Sequence, residues 1–231
     1  MMENNNSLQV FDEKLKQLEI ALCFLKRTLD VFRIVALNHV KIKEIAGVGQ
    51  FFAHVRQATL ESLVLGICRV FEGPSRKTPD PYSVPGVLRA AEPLPLQDPN
   101  ALRDFLRTWA SDDEPQVGDI ADTTLFEVRE VYARFWTRHE GEFQRMRAFR
   151  NRIIAHAEYI EEDVCPRSLP SYDFMERLLL FAVDLDAALL KAYLHVHAYR
   201  IRDDGLAASS TRRLLKKLGI EDVKVRFDDD E

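Results

Sequence analysis

Leu8, Phe11, Leu15, Leu18, Leu22, Leu25, Leu29 and Phe32 follow one another at alternating spacings of three and four. That rhythm holds a narrow apolar seam on one side of a helix for more than three heptads, and at 1.5 Å per residue it runs roughly 36 Å. A seam of that length is either buried within the chain's own bundle or shared in part with a second subunit. From Phe51 to Phe71 the pattern turns apolar nearly all round, with Leu60, Leu63, Val64, Leu65, Ile67 and Val70. This predicts a central helix enclosed on several sides, started near Gly47 and Gly49 and ended by Gly73-Pro74.

Seven of the ten prolines then fall between Gly73 and Asn100. No long helix survives them, so the stretch reads as an irregular crossover with short helices near Val84 to Ala91 and Ala101 to Ala110. After a polar loop at Ser111 to Asp122, Leu125, Val128, Tyr132, Phe135, Met146, Phe149 and Ile153 predict another long helix, bent at Gly141. A further one follows Pro170 on the heptad spacing of Phe174, Leu178, Phe181, Leu185, Ala188 and Ala192, fading near Arg200, and a short last helix covers Ser209 to Leu218. No segment has a period of two. The expected fold is all-α, an up-and-down bundle of long antiparallel helices interrupted by a proline-rich crossover: one domain over 1–220, with the crossover at 73–122 and an acidic tail at 221–231.

Composition narrows the setting. The chain has 231 residues, 46% of them hydrophobic, enough for a sizeable core. The mean hydropathy of −0.22 and the lack of a long apolar run exclude a membrane-spanning helix, and the first residues resemble no secretory signal. Cys23, Cys68 and Cys165 are widely spaced and odd in number, which fits a reducing compartment; a cytoplasmic location is expected. The net charge of −5 repels polyanions as a whole, so a nucleic-acid function needs a local basic patch. Arg145, Arg147, Arg150 and Arg152 supply one candidate, followed by the acidic Glu158, Glu161, Glu162 and Asp163. The same arginines would also serve as a solvated helix face.

Within that segment, Arg150-Asn151-Arg152-Ile153-Ile154-Ala155-His156 carries the chemistry. A guanidinium grips phosphate through paired hydrogen bonds and keeps its charge; an imidazole exchanges protons near neutrality. On a helix Arg150 and His156 lie about 120° apart with a rise of about 9 Å, flanking Ile153. One copy of each grips a phosphate loosely, whereas a two-fold axis passing Ile153 would bring two copies to one cleft. The plainer alternative makes His156 a helix-terminal histidine satisfied by a backbone carbonyl or the nearby acids.

The string F-R-N-R-I-I-A-H resembles the motif of HEPN domains, in which an arginine, usually followed by a polar residue, precedes a histidine by four to six intervening positions. Here the polar residue is Asn151 and five residues intervene. With the segment LVLGICRVFEGPSRKTPDPYSV before the crossover, the likeness extends over roughly residues 8 to 200 and resembles the abortive-infection AbiU branch. The resemblance implies a metal-independent ribonuclease that works as a homodimer in a prokaryotic defence or toxin–antitoxin setting. It assigns Arg150 to phosphate binding and transition-state charge, His156 to proton transfer and Asn151 to support; the basic run itself offers Arg145, Arg147 and Arg152 as substrate-binding candidates. RNA and a cognate antitoxin protein are the partners it brings, with no cofactor and no metal. Tyr159 stands three residues after His156 rather than two, so control by a nucleotidyltransferase partner, known in a related branch, does not carry over.

Other features compete less well. His195 and His197 point to different helix faces and suit no chelate. His39 and His139 fall on seam phases and read as core histidines. Arg69, in an apolar helix, calls for an acidic partner such as Glu61 or Glu72. No phosphate loop, nucleophile elbow or zinc-protease motif is present. Two alternatives to a nuclease stay open: a non-catalytic helical module that binds RNA or a partner protein, and a nucleotide or small-ligand sensor using the same cleft.

Overall fold

The computed structural model describes residues 2–73, 82–110, 124–156, 171–194 and 205–225, with 2–5 and 153–156 described by backbone alone. The polar loop, Tyr159, Cys165, His195, His197 and the end of the chain lie outside the described residues. All regular structure among the described residues is helical: α1 (Met2–Leu37), α2 (His39–Lys43), α3 (Gly49–Phe71), α4 (Val84–Ala91), α5 (Pro99–Trp109), α6 (Leu125–Arg138), α7 (Glu140–His156), α8 (Tyr172–Leu194) and α9 (Leu206–Lys217).

The seam of α1 is buried inside the chain itself, with Phe11, Leu15, Leu18, Leu22, Leu25 and Leu29 nearly inaccessible. It packs on α3, α8, α4 and α9. Gly66 of α3 sits so close that a Cβ there would lie 2.4 Å from Leu25 Cδ2, so its missing side chain sets how closely α1 and α3 approach. Ile34 and Val35 meet Phe52 at one end of this pair and Leu25 meets Gly66 farther along, so α1 and α3 are antiparallel. Phe11 packs edge-on to Tyr193 at 5.3 Å while Arg33 lies 3.8 Å from Glu176, so α1 and α8 are antiparallel too. At the centre, the Phe181 ring is enclosed by Phe71, Phe105, Trp109, Tyr132 and Phe135.

The crossover helices form despite their prolines because the prolines stand in first turns, where the missing N–H has no helical partner to lose. Ser83 accepts from Gly86 N to start α4, and Asp98 accepts from Asn100 N to start α5. Trp109 of α5 donates to Asp184 of α8 at 3.0 Å.

Two features depart from the sequence pattern. The helix expected to run from Leu125 to Ile153 is two helices, and the break is at His139, not Gly141. His139 leaves helical geometry and its carbonyl accepts from Glu142 and Phe143, so it ends α6 and begins α7. The corner lets Phe143 turn back onto Trp136, stacked at 3.7 Å, which offsets the interrupted ladder with buried aromatic area. The second departure is an annex. Leu215, Ile220 and Val223 join Ile34, Val35, Ile42 and Phe52 in a small separate core. Buried Asn38, at the α1–α2 break, donates to the carbonyls of Ile34 and Lys224 and accepts from Lys224 N, which staples residues 220–225 to the bundle.

Candidate functional site

The corner where α7 crosses the end of α3 holds the motif residues. Phe143, Met146 and Phe149 bury one side of α7, which turns Arg145, Arg147, Asn151 and Arg152 outward and leaves Arg150 half-buried at the edge. Arg150 reaches across to Glu72, the residue that ends α3, and its Nη1 donates to Glu72 Oε1 in an ion pair. Its Nε and Nη2 both donate to Asn151 Oδ1, at 3.3 and 3.2 Å. Two neighbours therefore orient the guanidinium, and it keeps 22% of its side-chain surface open to solvent.

The other arginines are engaged differently. Arg145 pairs with Glu142 one turn earlier on its own helix. Arg147 lies 5.0 Å over the Trp136 ring, a cation–π contact that presses it onto the protein. Arg152 is exposed. His156 closes α7 by its backbone, and its side chain, like that of Ile153, lies outside the described residues.

Beneath the corner, burial pushes the Cys68 thiol up from its ordinary range, partly opposed by the Arg150 and Arg147 charges. Burial likewise raises the Tyr132 phenol, which donates to the Phe71 carbonyl at 3.2 Å. Neither is a ready nucleophile at neutral pH. His139 sits between Phe135 and Phe174, at 4.8 and 5.4 Å. Burial lowers its pKa, and the Arg177 and Arg138 charges add to that, so it stays neutral at physiological pH.

Two expectations change. Arg69 is exposed and stacks over Tyr82 at 5.4 Å, and the acid offered to it, Glu72, belongs to Arg150. Glu61 accepts from Gln57. His39 is exposed, its Nδ1 2.9 Å from the Ala36 carbonyl, because α1 ends at Leu37 and the seam phase ends with it. The residue that sequence reasoning missed at this corner is the motif's partner, Glu72: its pairing joins positions 78 apart in the chain, which no helical periodicity links. Its place at the last turn of α3, against a proline-rich exit, was the available signal.

Among the described residues no group of three or more His, Cys, Asp or Glu is arranged to hold a metal, and no helix is long and apolar enough to cross a membrane. The AbiU2 family model of HEPN domains matches residues 8–204. The chain belongs to this family. No curated protein and no solved structure matches it. The matched span begins in α1, takes in the α3–α7 corner with Arg150, Asn151 and His156, and stops before α9.

Proposed function

We propose that this HEPN protein is a metal-independent endoribonuclease, acting as a homodimer in a prokaryotic abortive-infection or toxin–antitoxin system, with RNA as substrate and an antitoxin protein as its regulator. The observation that carries the reading is the oriented guanidinium. Arg150 follows the family's motif spacing to His156, and Glu72 and Asn151 hold it in place while one edge stays open. Cleaving RNA by its own 2′-hydroxyl requires removing a proton from that hydroxyl, stabilising an anionic phosphorane and protonating the leaving 5′-oxygen. His156 of each subunit supplies proton transfer, worth about a hundredfold to ten-thousandfold. Arg150 supplies charge at the phosphorane, for which fixed placement matters more than reach because no reorganisation is then needed during the reaction. Asn151 supports Arg150 directly, and Arg145, Arg147 and Arg152 flank the strand.

A second reading, a non-catalytic HEPN module that binds RNA or a partner protein, draws on a different observation: Arg145, Arg147 and Arg150 are each already engaged within the chain. One experiment separates the two. Purified protein incubated with mixed RNA in EDTA should yield fragments with cyclic phosphate ends, and His156→Ala should abolish them while the melting temperature and the dimer, measured by light scattering, stay unchanged. Equal cleavage by the variant ends the nuclease reading.

A further inference from the structure

The annex lies beyond the family-matched span and carries the opposite charge from the chain as a whole. Residues 205–225 hold five basic side chains against two acidic ones, in a protein of net charge −5. Leu215 anchors α9 on Ile34, Val35 and Phe52, and Ile220 and Val223 close the same small core. Next to that anchored face, α9 borders a cleft of about 430 Å³, two of whose lining residues, Ala208 and Val225, also pack against the small core. Gly205, Ala208, Ser209 and Val225 line it together with Arg212, Arg213 and Lys216. Among the described residues no lining residue is acidic and none of these three cations forms a salt bridge. Asp222, one of the two acids of this stretch, pairs with Lys41. Basic residues in a last turn suit the helix dipole, which accounts for Lys216 and Lys217 but not for the two arginines one turn earlier.

Arg212 and Lys216 are one turn apart on one face, about 6 Å along the axis, so two cations can meet successive anionic groups of a linear polymer. The small residues in the lining let a backbone approach closely, and contacts made to phosphate alone leave base identity unread. We propose that this cleft is a second RNA-binding surface that holds the phosphate backbone of a single strand through Arg212, Arg213 and Lys216. The assignment rests on the reading of this protein as one that handles RNA. Position gives the surface its use. Phe52, beside α9, and Phe71, beside the motif corner, are separated by about 30 Å of α3, so the cleft engages the strand well away from Arg150 and lengthens the bound track. In a chain that repels polyanions overall, a concentrated patch also sets where RNA first lands.

The test measures binding of labelled single-stranded RNA by fluorescence anisotropy in EDTA, in the full-length His156→Ala background so that the RNA stays intact. Adding R212Q, R213Q and K216Q should weaken binding at least tenfold near 0.1 M salt. It should also flatten the slope of log K against log salt by about 2, since each single-strand phosphate contact contributes about 0.7. A triple variant with the same charge change elsewhere, K16Q, R107Q and R134Q, should alter both far less. Arg212, Arg213 and Lys216 are exposed, so matched circular dichroism and melting curves are expected and are checked first. Unchanged affinity in the cleft variant, an equal loss in the control, or no RNA binding by the parent overturns the proposal. Failure of the nuclease reading looks different: the wild-type chain would bind RNA through the cleft and leave it uncut.

Discussion

The α3–α7 corner and the α9 annex are both rich in arginine, yet they use it in opposite ways. At the corner three of the four arginines have an internal partner: Arg150 has Glu72 and Asn151, Arg147 has the Trp136 face, and Arg145 has Glu142, while Arg152 is exposed. In the annex Arg212, Arg213 and Lys216 line an open cleft that has no acidic lining among the described residues. A partner costs a cation some affinity for phosphate, because the phosphate competes with a carboxylate already in place, but it fixes direction. Geometry is what a transition state needs, whereas unpaired charge is what capture needs. The density of arginine along a sequence therefore does not measure how much positive charge a ligand meets.

Removing the guanidinium tests the first half of this contrast most severely. Arg150→Ala should lower the rate of RNA cleavage by about a hundredfold to a thousandfold, the range for losing one preorganised stabilising group. RNA affinity, measured in parallel by anisotropy, should change much less, because the annex cations remain. Comparable losses in both would merge the two regions into one binding surface and break the comparison.

Detaching the annex tests the second half. Asn38→Ala removes three hydrogen bonds at a buried position and strands the backbone of Lys224. A loss of about 2–3 kcal/mol in urea unfolding is expected, together with faster amide exchange in α9. A variant as stable as the parent would show that the small core alone holds α9.

A third way of handling charge appears at Asp186, which is nearly fully buried on α8 with Oδ1 unpartnered among the described residues. Burial, helped by the Glu19 charge, pushes its pKa up to about 8. The folded state therefore holds a proton that the unfolded chain, with an ordinary carboxyl near 4, has already lost. Between about pH 4 and pH 8 the native state binds more protons, so this group's contribution to stability is greatest at the acid end and declines as pH rises through that window. Asp186→Asn should raise the melting temperature at pH 7 and flatten its decline from pH 5 to 8. An unchanged pH profile would mean that Asp186 is ionised in the fold.

The smallest expected effect is at Glu72. Glu72→Gln breaks a partly exposed pair, worth at most about 1 kcal/mol to the fold. It also removes a negative charge beside the phosphate site, and RNA affinity should rise by up to about fivefold, a change of about 1 kcal/mol. Cleavage per bound RNA should fall, because the guanidinium loses one of its two guides. A rise in both would make Glu72 a brake rather than a guide.

Much of the architecture was legible because helix periodicity is local. Seven spacings of three and four placed α1, an all-round apolar run placed α3, and the short helices expected near 84–91 and 101–110 within and after the proline-rich stretch match α4 and α5. The motif was legible for the same reason, since Arg150, Asn151 and His156 lie on one helix. Two misreadings share a cause. The break at His139 depends on Phe143 finding Trp136, and the fate of Arg69 depends on which cation Glu72 meets; both are settled by contacts between elements.

By itself, then, the sequence determined that this chain is helical, where most helices begin and end, and that one of them carries an arginine and a histidine at HEPN spacing. The tertiary structure alone decided which charges are paired and which stay open. Glu72 reaches Arg150 across 78 positions and Asn38 reaches Lys224 across 186. The physical reason is range: side chains within a turn or two meet through the helix repeat, but partners on separate helices meet only after hydrophobic burial has fixed how those helices cross.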